Sequence, residues 1–350
     1  MIPWHDSLLA RGAKFDGASV SSFADPAQER AAARDDAVIC DLAPIAVLRV
    51  SGPDAEAFLQ GQLTSDVAVL APGTSQYSAW CSPKGRVLAN FLLRRLDAAN
   101  FELLLPAPLL ASIRKRLGMF VLRSKVALED ESAASARIGV GGPMAVRCAE
   151  AIAGVAPAVY RSVALAGGVL LGLSSNRFMA IVAPERAAPL WDLLAAHARP
   201  AGFSCWEWLA VRAGVPAILP PTQDLFIPQM LNWEVLGGVS FKKGCYTGQE
   251  IVARTQHLGI VKERSLLAHT DVSPPSPGTR VFSERFGEQA CGTVLNAAPA
   301  PASGSDLLAV VQTAAVGADL RLGARDGPAL SQLSLPYAFP AAERSRGRAA

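Results

Sequence analysis

One cysteine in the sequence has neighbours that favour a reactive thiol. Cys245 follows Lys242 and Lys243 and precedes Thr247-Gly248-Gln249-Glu250, which has the spacing of a helix-capping box. The free N–H groups and the dipole of a helix N-terminus favour negative charge, and the two lysines act in the same direction. We therefore expect Cys245 to form a thiolate more readily than an ordinary surface cysteine. The same corner is also suited to a carboxylate or phosphate of a ligand.

Three roles are open for Cys245 at this point: an inert packed thiol, a covalent nucleophile, or one thiolate ligand of a site shared with a partner. A nucleophile would lack a base, because His257, the nearest histidine in sequence, is twelve residues further on. That spacing corresponds to about 18 Å of helix rise. A purely structural interpretation is equally open. In that interpretation Thr247 and Glu250 only cap the helix, and Glu250 and Arg254 form an i,i+4 ion pair.

The remaining cysteines and the charge limit the class of protein. None of the six cysteines belongs to a C-x-x-C pair, so the usual local zinc or iron–sulfur spacing is absent and no stably bound metal is expected. The N-terminal residues do not resemble a secretory signal, and no apolar run approaches the length of a membrane span. We expect a reducing, cytoplasmic location. The net charge of +3 is small, so there is no strong electrostatic case for nucleic-acid binding, and any link to RNA is expected to be indirect.

The pattern of strands and helices around these residues predicts an α+β fold. The chain has 350 residues, which is too long for one typical core, so we expect more than one domain. Gln76–Cys81 and Arg86–Leu93 have the pattern of paired strands around Ser82-Pro83-Lys84-Gly85, which fits a type I turn. Strands alternating with helices from residue 136 predict mixed or antiparallel sheets. Short strands separated by Pro and Gly after residue 262 predict a small β-barrel.

Composition and turn residues also set the predicted boundaries. Polar, Ala-rich residues without firm periodicity indicate a loosely packed N-terminal arm over residues 1–35. The other predicted units are a main region over 36–258 with subdomains of about 36–133 and 134–258, a C-terminal barrel over 262–340, and a disordered tail over 341–350.

The stretch Lys243-Gly244-Cys245-Tyr246-Thr247-Gly248-Gln249-Glu250, followed by Arg254, resembles the signature of the YgfZ family. That family comprises folate-binding proteins associated with tRNA modification, related to the aminomethyltransferase (T-protein) of the glycine-cleavage system. Four further blocks resemble the same family: Phe58–Val67, Cys81–Arg86, Phe226–Gln229 and Leu335–Tyr337. The resemblance implies an aminomethyltransferase-like multi-domain fold with a C-terminal barrel. It also implies that tetrahydrofolate or a derivative is the bound cofactor.

Two positions depart from the enzymatic relatives that the resemblance brings in. Those relatives use an aspartate shortly after a strand-turn glycine, where this chain has Ala89 and Asn90. An amide is not ionised at pH 7 and cannot accept a proton as a carboxylate does, which argues against aminomethyl transfer. Many relatives have a glutamate at the position of Arg212, and arginine cannot accept hydrogen bonds from a pterin.

The resemblance and the side-chain chemistry together give a set of candidate folate-binding residues. Lys243 and Arg254 are suited to the glutamyl carboxylates of folate. No catalytic residue is assigned, and Cys245 is the predicted functional thiol and possible shared metal ligand. The complete candidate set is Asn90, Arg212, Gln229, Lys243, Tyr246, Gln249 and Arg254.

The function implied by the resemblance is that of a folate-binding accessory protein that supports iron–sulfur protein assembly or repair. Through that support it would act in tRNA modification, by methylthiolation, with cluster carriers or client proteins as partners. One alternative is a tetrahydrofolate-dependent one-carbon (aminomethyl) transferase that uses another base. A third hypothesis, direct tRNA binding, is disfavoured by the modest charge.

Overall fold

The fold is known from a computed structural model, which describes residues 4–258 and 261–339. Within these ranges the α-helices are α1 (Trp4–Leu9), α2 (Pro26–Asp35), α3 (Ala55–Gln62), α4 (Ala107–Gly118), α5 (Ala145–Ala153), α6 (Pro184–Ala195), α7 (Phe203–Arg212) and α8 (Gln249–Leu258). The strands are β1 (Lys14–Asp16), β2 (Ser19–Ser22), β3 (Val38–Asp41), β4 (Ile45–Ser51), β5 (Ser75–Cys81), β6 (Val87–Arg95), β7 (Asn100–Pro106), β8 (Ala127–Asp130), β9 (Ala136–Gly141), β10 (Ser162–Leu165), β11 (Gly168–Ser174), β12 (Arg177–Val182), β13 (Arg199–Ala201), β14 (Glu263–Thr270), β15 (Arg280–Phe282), β16 (Gly292–Pro299), β17 (Ser305–Gln312), β18 (Leu320–Leu322) and β19 (Ala329–Leu333).

The first large sheet has five antiparallel strands in the order β5-β6-β7-β4-β8. Its strands β5 and β6 are joined by the predicted turn, in which the Gly85 N–H donates to the Ser82 carbonyl at 2.8 Å. The register of this pair places Ala79 opposite Asn90. Continuous apolar runs make β6 and β7 buried on both faces, since the helices and the second sheet cover them. The predicted hairpin is confirmed.

The second sheet has six strands in the order β10-β11-β12-β9-β3-β13. Its pairs are antiparallel except for β13 on β3, which is parallel. The largest apolar core joins both sheets to α7, whose Trp206 and Leu209 side chains are buried there. This arrangement confirms the predicted α+β class with mixed and antiparallel sheets.

A closed barrel follows, with its six strands in the order β14-β17-β16-β15-β18-β19. Short strands separated by breakers such as Ser273–Gly278 form a ring without a free edge. The barrel has its own core of Val, Leu and Ala side chains. The prediction of a C-terminal β-barrel is therefore confirmed. The predicted tail, residues 341–350, lies outside the described residues.

The N-terminal segment is better packed than its composition indicates. The helix α1 and the hairpin β1-β2 bury Leu8 and Val20 in a core that they share with the second sheet, and α2 buries Ala33 in the largest core. On α2 the carboxylate of Glu29 is buried and accepts hydrogen bonds from the N–H groups of Phe23, Ala24 and Gly202. A loosely packed arm is therefore wrong for residues 4–35. Apolar periodicity does not reveal this packing, because a polar side chain occupies a core position.

None of the described helices has the length and hydrophobicity that a membrane crossing requires.

Candidate functional site

Cys245 lies on an irregular loop before α8, and we call residues 240–248 the Cys245 loop. All six cysteines fall in the described ranges and are free thiols, and Cys245 is the exposed one among them. The helix α8 begins at Gln249, as the sequence predicts. The structure therefore presents one thiol to partners and packs the other five inside.

Lys243 anchors this loop to the body of the protein. Its Nζ donates to the carbonyl oxygens of Gln60 at 2.7 Å, Leu63 at 2.6 Å and Ser65 at 2.8 Å. The Gln60 carbonyl is in the last turn of α3 and the other two directly follow the helix, where a cation is favourable. Burial lowers the pKa of Lys243 to about 8, although the three carbonyl contacts favour the charged form. All three N–H donors of the ammonium group are used, so none remains for a ligand carboxylate.

Tyr246 lies on the inner side of the same loop. Its ring is buried, and the Lys243 ammonium lies 5.2 Å from the ring centroid. Burial raises the pKa of the Tyr246 hydroxyl, so the side chain is neutral. Tyr246 and Lys243 together form the inner face of the Cys245 loop, opposite the exposed thiol.

Two glycines bring the Cys245 loop against the Ser82–Gly85 turn. Gly248 has φ of +82° and Gly85 has φ of +69°, values that side-chain-bearing residues rarely adopt. A Cβ on Gly248 would lie 2.4 Å from the Ser82 carbonyl oxygen and 2.8 Å from the Gly85 Cα. The two sequence blocks, far apart along the chain, are therefore in backbone contact.

The predicted side-chain contacts within α8 differ from the observed ones. Neither a Thr247–Glu250 capping box nor a Glu250–Arg254 ion pair occurs among the contacts of the described residues, and both charged side chains are exposed. Gln249, the first helical residue, is half-buried. The buried Gln229 holds the helix instead, because its Nε2 donates to the Val252 carbonyl at 2.7 Å. The Gln229 Oε1 has no partner in the described part of the chain.

A mostly apolar cavity of roughly 440 Å³ lies between the first sheet and α7. Asn90 of β6 lies in its wall, with its Nδ2 donating to the Pro216 carbonyl and its Oδ1 accepting from the Ile218 N–H, both at 2.7 Å. Asn90 thus fixes the segment after α7, and it has no carboxylate that could act as a base. The apolar walls include Phe91, Leu104, Met179, Phe203, Trp206 and Trp233.

Glu207 of α7 supplies a carboxylate to this first cavity. Its side chain is accessible through the cavity but is surrounded by protein, and this burial raises its pKa to about 7. No hydrogen-bond partner for it occurs among the described residues. The sequence analysis missed Glu207, although a single acid between Trp206 and Trp208 on an otherwise apolar helix face was a usable signal.

A second cavity of roughly 990 Å³ lies between α7, the second sheet and the barrel. Arg212 lies in this wall and is partly exposed, with its guanidinium 3.5 Å from the carboxylate of Asp306. The same carboxylate accepts from Trp208 Nε1 at 2.8 Å and contacts His269 Nδ1 at 2.9 Å. The two cavities share the wall residues Tyr77, Leu173, Arg177 and Val215.

Arg177, the first residue of β12, is a buried cation in this shared wall, and it is 4% exposed. Its guanidinium stacks over the Trp206 ring at 4.5 Å. Its Nε has no hydrogen-bond partner, and no carboxylate forms an ion pair with it among the described residues. Burial lowers its pKa. The sequence analysis did not single out Arg177, and its one signal was a charge at the start of the apolar run Arg177–Val182.

The candidate residues therefore fall into separate groups. Asn90 lies at the first cavity and Arg212 at the second, while Lys243, Tyr246, Gln249 and Cys245 belong to the Cys245 loop or its junction with α8. Gln229 donates a hydrogen bond to the Val252 carbonyl of α8, and Arg254 is exposed on that helix. No cluster of three or more His, Cys, Asp or Glu side chains in the described ranges has metal-site geometry.

The sequence is similar to a known domain family and, over most of its length, to known bacterial proteins. Residues 5–162 match the GCVT N-terminal domain. The chain is 34% identical over 279 residues to a protein of Cronobacter sakazakii named tRNA-modifying protein YgfZ, a match that covers 78% of this chain and 84% of that protein. It is 33% identical over 301 residues to the protein of that name from Edwardsiella ictaluri, covering 83% and 89%.

The structure is similar to that of aminomethyltransferase T of the glycine cleavage system from Bartonella henselae, with a TM-score of 0.77. The match covers 96% of this chain and 97% of the other, at 19% sequence identity. At this identity the likeness establishes the fold, and it confirms the predicted aminomethyltransferase-like architecture.

Proposed function

The chain belongs to the YgfZ family, and from this premise we propose a folate-binding accessory protein that supports iron–sulfur protein assembly or repair. Through that support it acts in tRNA modification, by methylthiolation of tRNA in the cytoplasm. The role in tRNA modification is inferred from the relatives, which are named tRNA-modifying protein YgfZ. The partners are an iron–sulfur cluster carrier and the client proteins that receive the cluster.

The observation that carries this proposal is the single exposed thiol on an anchored loop. Cys245 faces outward, while the buried Lys243 holds the loop from the other side. His257 lies in the last turn of α8, with its ring 6.2 Å from that of Phe241, and no hydrogen bond joins it to the thiol among the described residues. A thiol without a base is poorly equipped as a hydrolytic or acyl-transfer nucleophile. It is well suited to be one ligand of a cluster completed by a partner.

The first cavity supports the folate part of the proposal. Its aromatic and aliphatic walls are suited to a planar ring system, and its volume is within the range of small-molecule sites. Its polar groups are few and fixed, with Asn90 held by two backbone contacts and Glu207 open to the cavity. A bound tetrahydrofolate would bring one-carbon or reducing chemistry, while these residues orient it and exclude water.

A cluster-restoration assay tests the thiol. Purified protein is mixed with a cluster-loaded carrier and a client whose [4Fe–4S] cluster has been damaged, and recovery of the client cluster is followed by absorbance. We expect the Cys245→Ser variant to lose at least about tenfold in recovery rate. The matched control is Cys291→Ser, which changes a buried barrel cysteine. Equal recovery with wild type and Cys245→Ser would show that the proposed role of this thiol is wrong.

One observation favours a second candidate, the tetrahydrofolate-dependent one-carbon transferase. Asn90 cannot accept a proton, but Glu207 places a carboxylate with a pKa of about 7 in the same cavity. A base with that pKa is well matched to proton removal near neutral pH. Incubation with tetrahydrofolate and an aminomethyl donor tests this candidate. Turnover that Glu207→Gln abolishes would favour the transferase over the accessory role.

A further inference from the structure

Three hydrogen-bond donors without partners among the described residues lie at or beside the wall between the two cavities. The guanidinium of Arg177 and the hydroxyl of Tyr77 belong to the shared wall, and the hydroxyl of Tyr160 belongs to a residue that lines the second cavity only. The Tyr77 and Tyr160 rings contact edge to face at a centroid distance of 5.4 Å. Within the described residues, neither hydroxyl donates to a protein acceptor. Both hydroxyls are accessible from the cavities, whereas the Nε of Arg177 is buried without a partner, so these donors are available to a ligand.

Electrostatics agrees with this grouping. Burial raises the pKa of Tyr77 and of Tyr160, and the positive charge of Arg177 opposes this rise in both. Both hydroxyls therefore keep their protons and remain donors, close enough to Arg177 to be affected by its charge. A site of this kind offers several donors and one positive charge, and no carboxylate of the described residues pairs with that charge. It is complementary to a carboxylate, which offers acceptor lone pairs only.

A comparison with Arg137, whose Nε is also unpaired, shows what Arg177 lacks at the other end of its guanidinium. Arg137 is equally buried, yet its Nη1 donates to the Ser132 and Ser135 carbonyls at 2.8 and 2.6 Å. Arg177 has only the face of Trp206 for company. An unpaired buried charge costs stability, so a chain that keeps one gains something that the isolated fold does not show.

We propose that Arg177, with Tyr77 and Tyr160, binds the glutamyl carboxylate of a folate whose ring system lies in the first cavity. The inference rests on the proposed folate-binding function and names residues for its anionic end. The carboxylate then lies at the boundary of the two cavities, with the ring system on the side of the first cavity. Arg177 thereby has the role that the sequence analysis predicted for Lys243 and Arg254, neither of which lines either cavity.

A pair of matched ligands isolates the carboxylate. Calorimetric affinities are measured for 5-formyltetrahydrofolate, which carries one glutamate, and for 5-formyltetrahydropteroamide, in which an uncharged carboxamide replaces the glutamyl group. We expect wild type to bind the glutamate form about 10- to 100-fold more tightly, because charge-assisted hydrogen bonds are strong in a buried site. The Arg177→Met variant keeps a similar volume and loses the charge, so most of this preference should disappear while binding of the uncharged pteroamide changes less than about threefold.

Two further variants separate binding from folding. Arg137→Met removes a buried arginine that lines neither cavity and should leave the preference unchanged. Tyr160→Phe removes one donor without altering a charge and should reduce the preference by about two- to fivefold. The melting temperature of each ligand-free variant shows whether it is folded, and Tyr160→Phe tests the site even if Arg177→Met does not fold.

The outcomes discriminate between this inference and the function on which it rests. If wild type binds both ligands with equal affinity, or if Arg177→Met and Tyr160→Phe both retain the full preference, the carboxylate site is wrong while folate binding stands. If wild type binds neither ligand, the folate part of the proposed function fails and this inference fails with it.

Discussion

Two buried cations lie in different regions of this molecule and differ in what surrounds them. Lys243, at the base of the Cys245 loop, has three backbone carbonyls within 2.8 Å of its Nζ. Arg177, in the wall between the cavities, has no hydrogen bond or ion pair in the described part of the chain. A buried charge with every donor satisfied stabilises its loop, whereas an unsatisfied one lowers stability. The contrast separates a structural cation from one available to a ligand, although both are lysine or arginine in mainly apolar surroundings.

The largest expected effect is at the satisfied cation. Lys243→Met leaves the Gln60, Leu63 and Ser65 carbonyls without their donor, so the free energy of unfolding should fall by about 3 kcal/mol. Urea denaturation measures this change. Lys242→Met, at an exposed neighbour, should stay within about 0.5 kcal/mol of wild type. A Lys243→Met variant as stable as wild type would contradict the structural role of Lys243.

The unsatisfied cation should respond in the opposite direction. Without ligand, Arg177→Met removes an unpaired buried charge and should leave the free energy of unfolding unchanged or raise it by about 1 kcal/mol. Arg137→Met loses its contacts to the Ser132 and Ser135 carbonyls and should fall by about 2 kcal/mol. The same urea experiment measures both variants. If Arg177→Met instead lowers the free energy of unfolding by more than about 2 kcal/mol, the loss expected for Arg137→Met, then Arg177 also has a structural role.

A pH series tests how Glu207, the carboxylate in the first cavity, affects stability. The pKa of Glu207 is raised from 4.5 to about 7 in the folded protein, so the folded state binds more protons than the unfolded state between these values. The stabilising contribution of the protonated form is therefore complete below about pH 4.5 and is lost as the pH rises through 7. Relative to Glu207→Gln, wild type should lose stability over this window, by less than about 1 kcal/mol because solvent in the cavity screens the charge. If the difference in unfolding free energy between wild type and Glu207→Gln stays constant from about pH 4 to about pH 8, the raised pKa assigned to Glu207 is wrong.

The smallest effect on stability is expected at the thiol itself. Cys245 is exposed, so Cys245→Ser should change the free energy of unfolding by less than about 0.5 kcal/mol. Iodoacetamide should label one cysteine in the native protein and the other five only after unfolding, as mass spectrometry can show. Rapid labelling of a second cysteine in native buffer would mean that the loop is not the unique point of access.

Turn chemistry and periodicity predicted much of the fold. Ser82-Pro83-Lys84-Gly85 gave the hairpin β5-β6, and the breakers after residue 262 gave the barrel. Both rely on local rules, in which Pro and Gly limit the backbone whatever the rest of the chain does. The N-terminal segment failed this test, because the buried Glu29 is satisfied by backbone groups as distant in sequence as Gly202.

The site was harder to predict, because its contacts join residues far apart in sequence. Lys243 and its acceptor Leu63 are separated by 180 positions, so sequence could name the cation but not the atoms that it contacts. Arg177 is functional in our proposal because of what does not contact it, and no pattern of residues encodes an absence. Cys245 was identified from its immediate neighbours, and its exposure agrees with an accessible thiol.

The contact between Gly85 and Gly248 has a consequence for how such a protein can diverge. Each glycine faces main-chain atoms of the other's segment, so an added methyl group on either one meets an obstacle that no rotamer change can remove. A mutation at one position has no compensating partner at the other, since neither residue can become smaller. Natural selection must therefore retain both glycines together or abandon the junction altogether, which makes the two turns inherit their shapes as one unit.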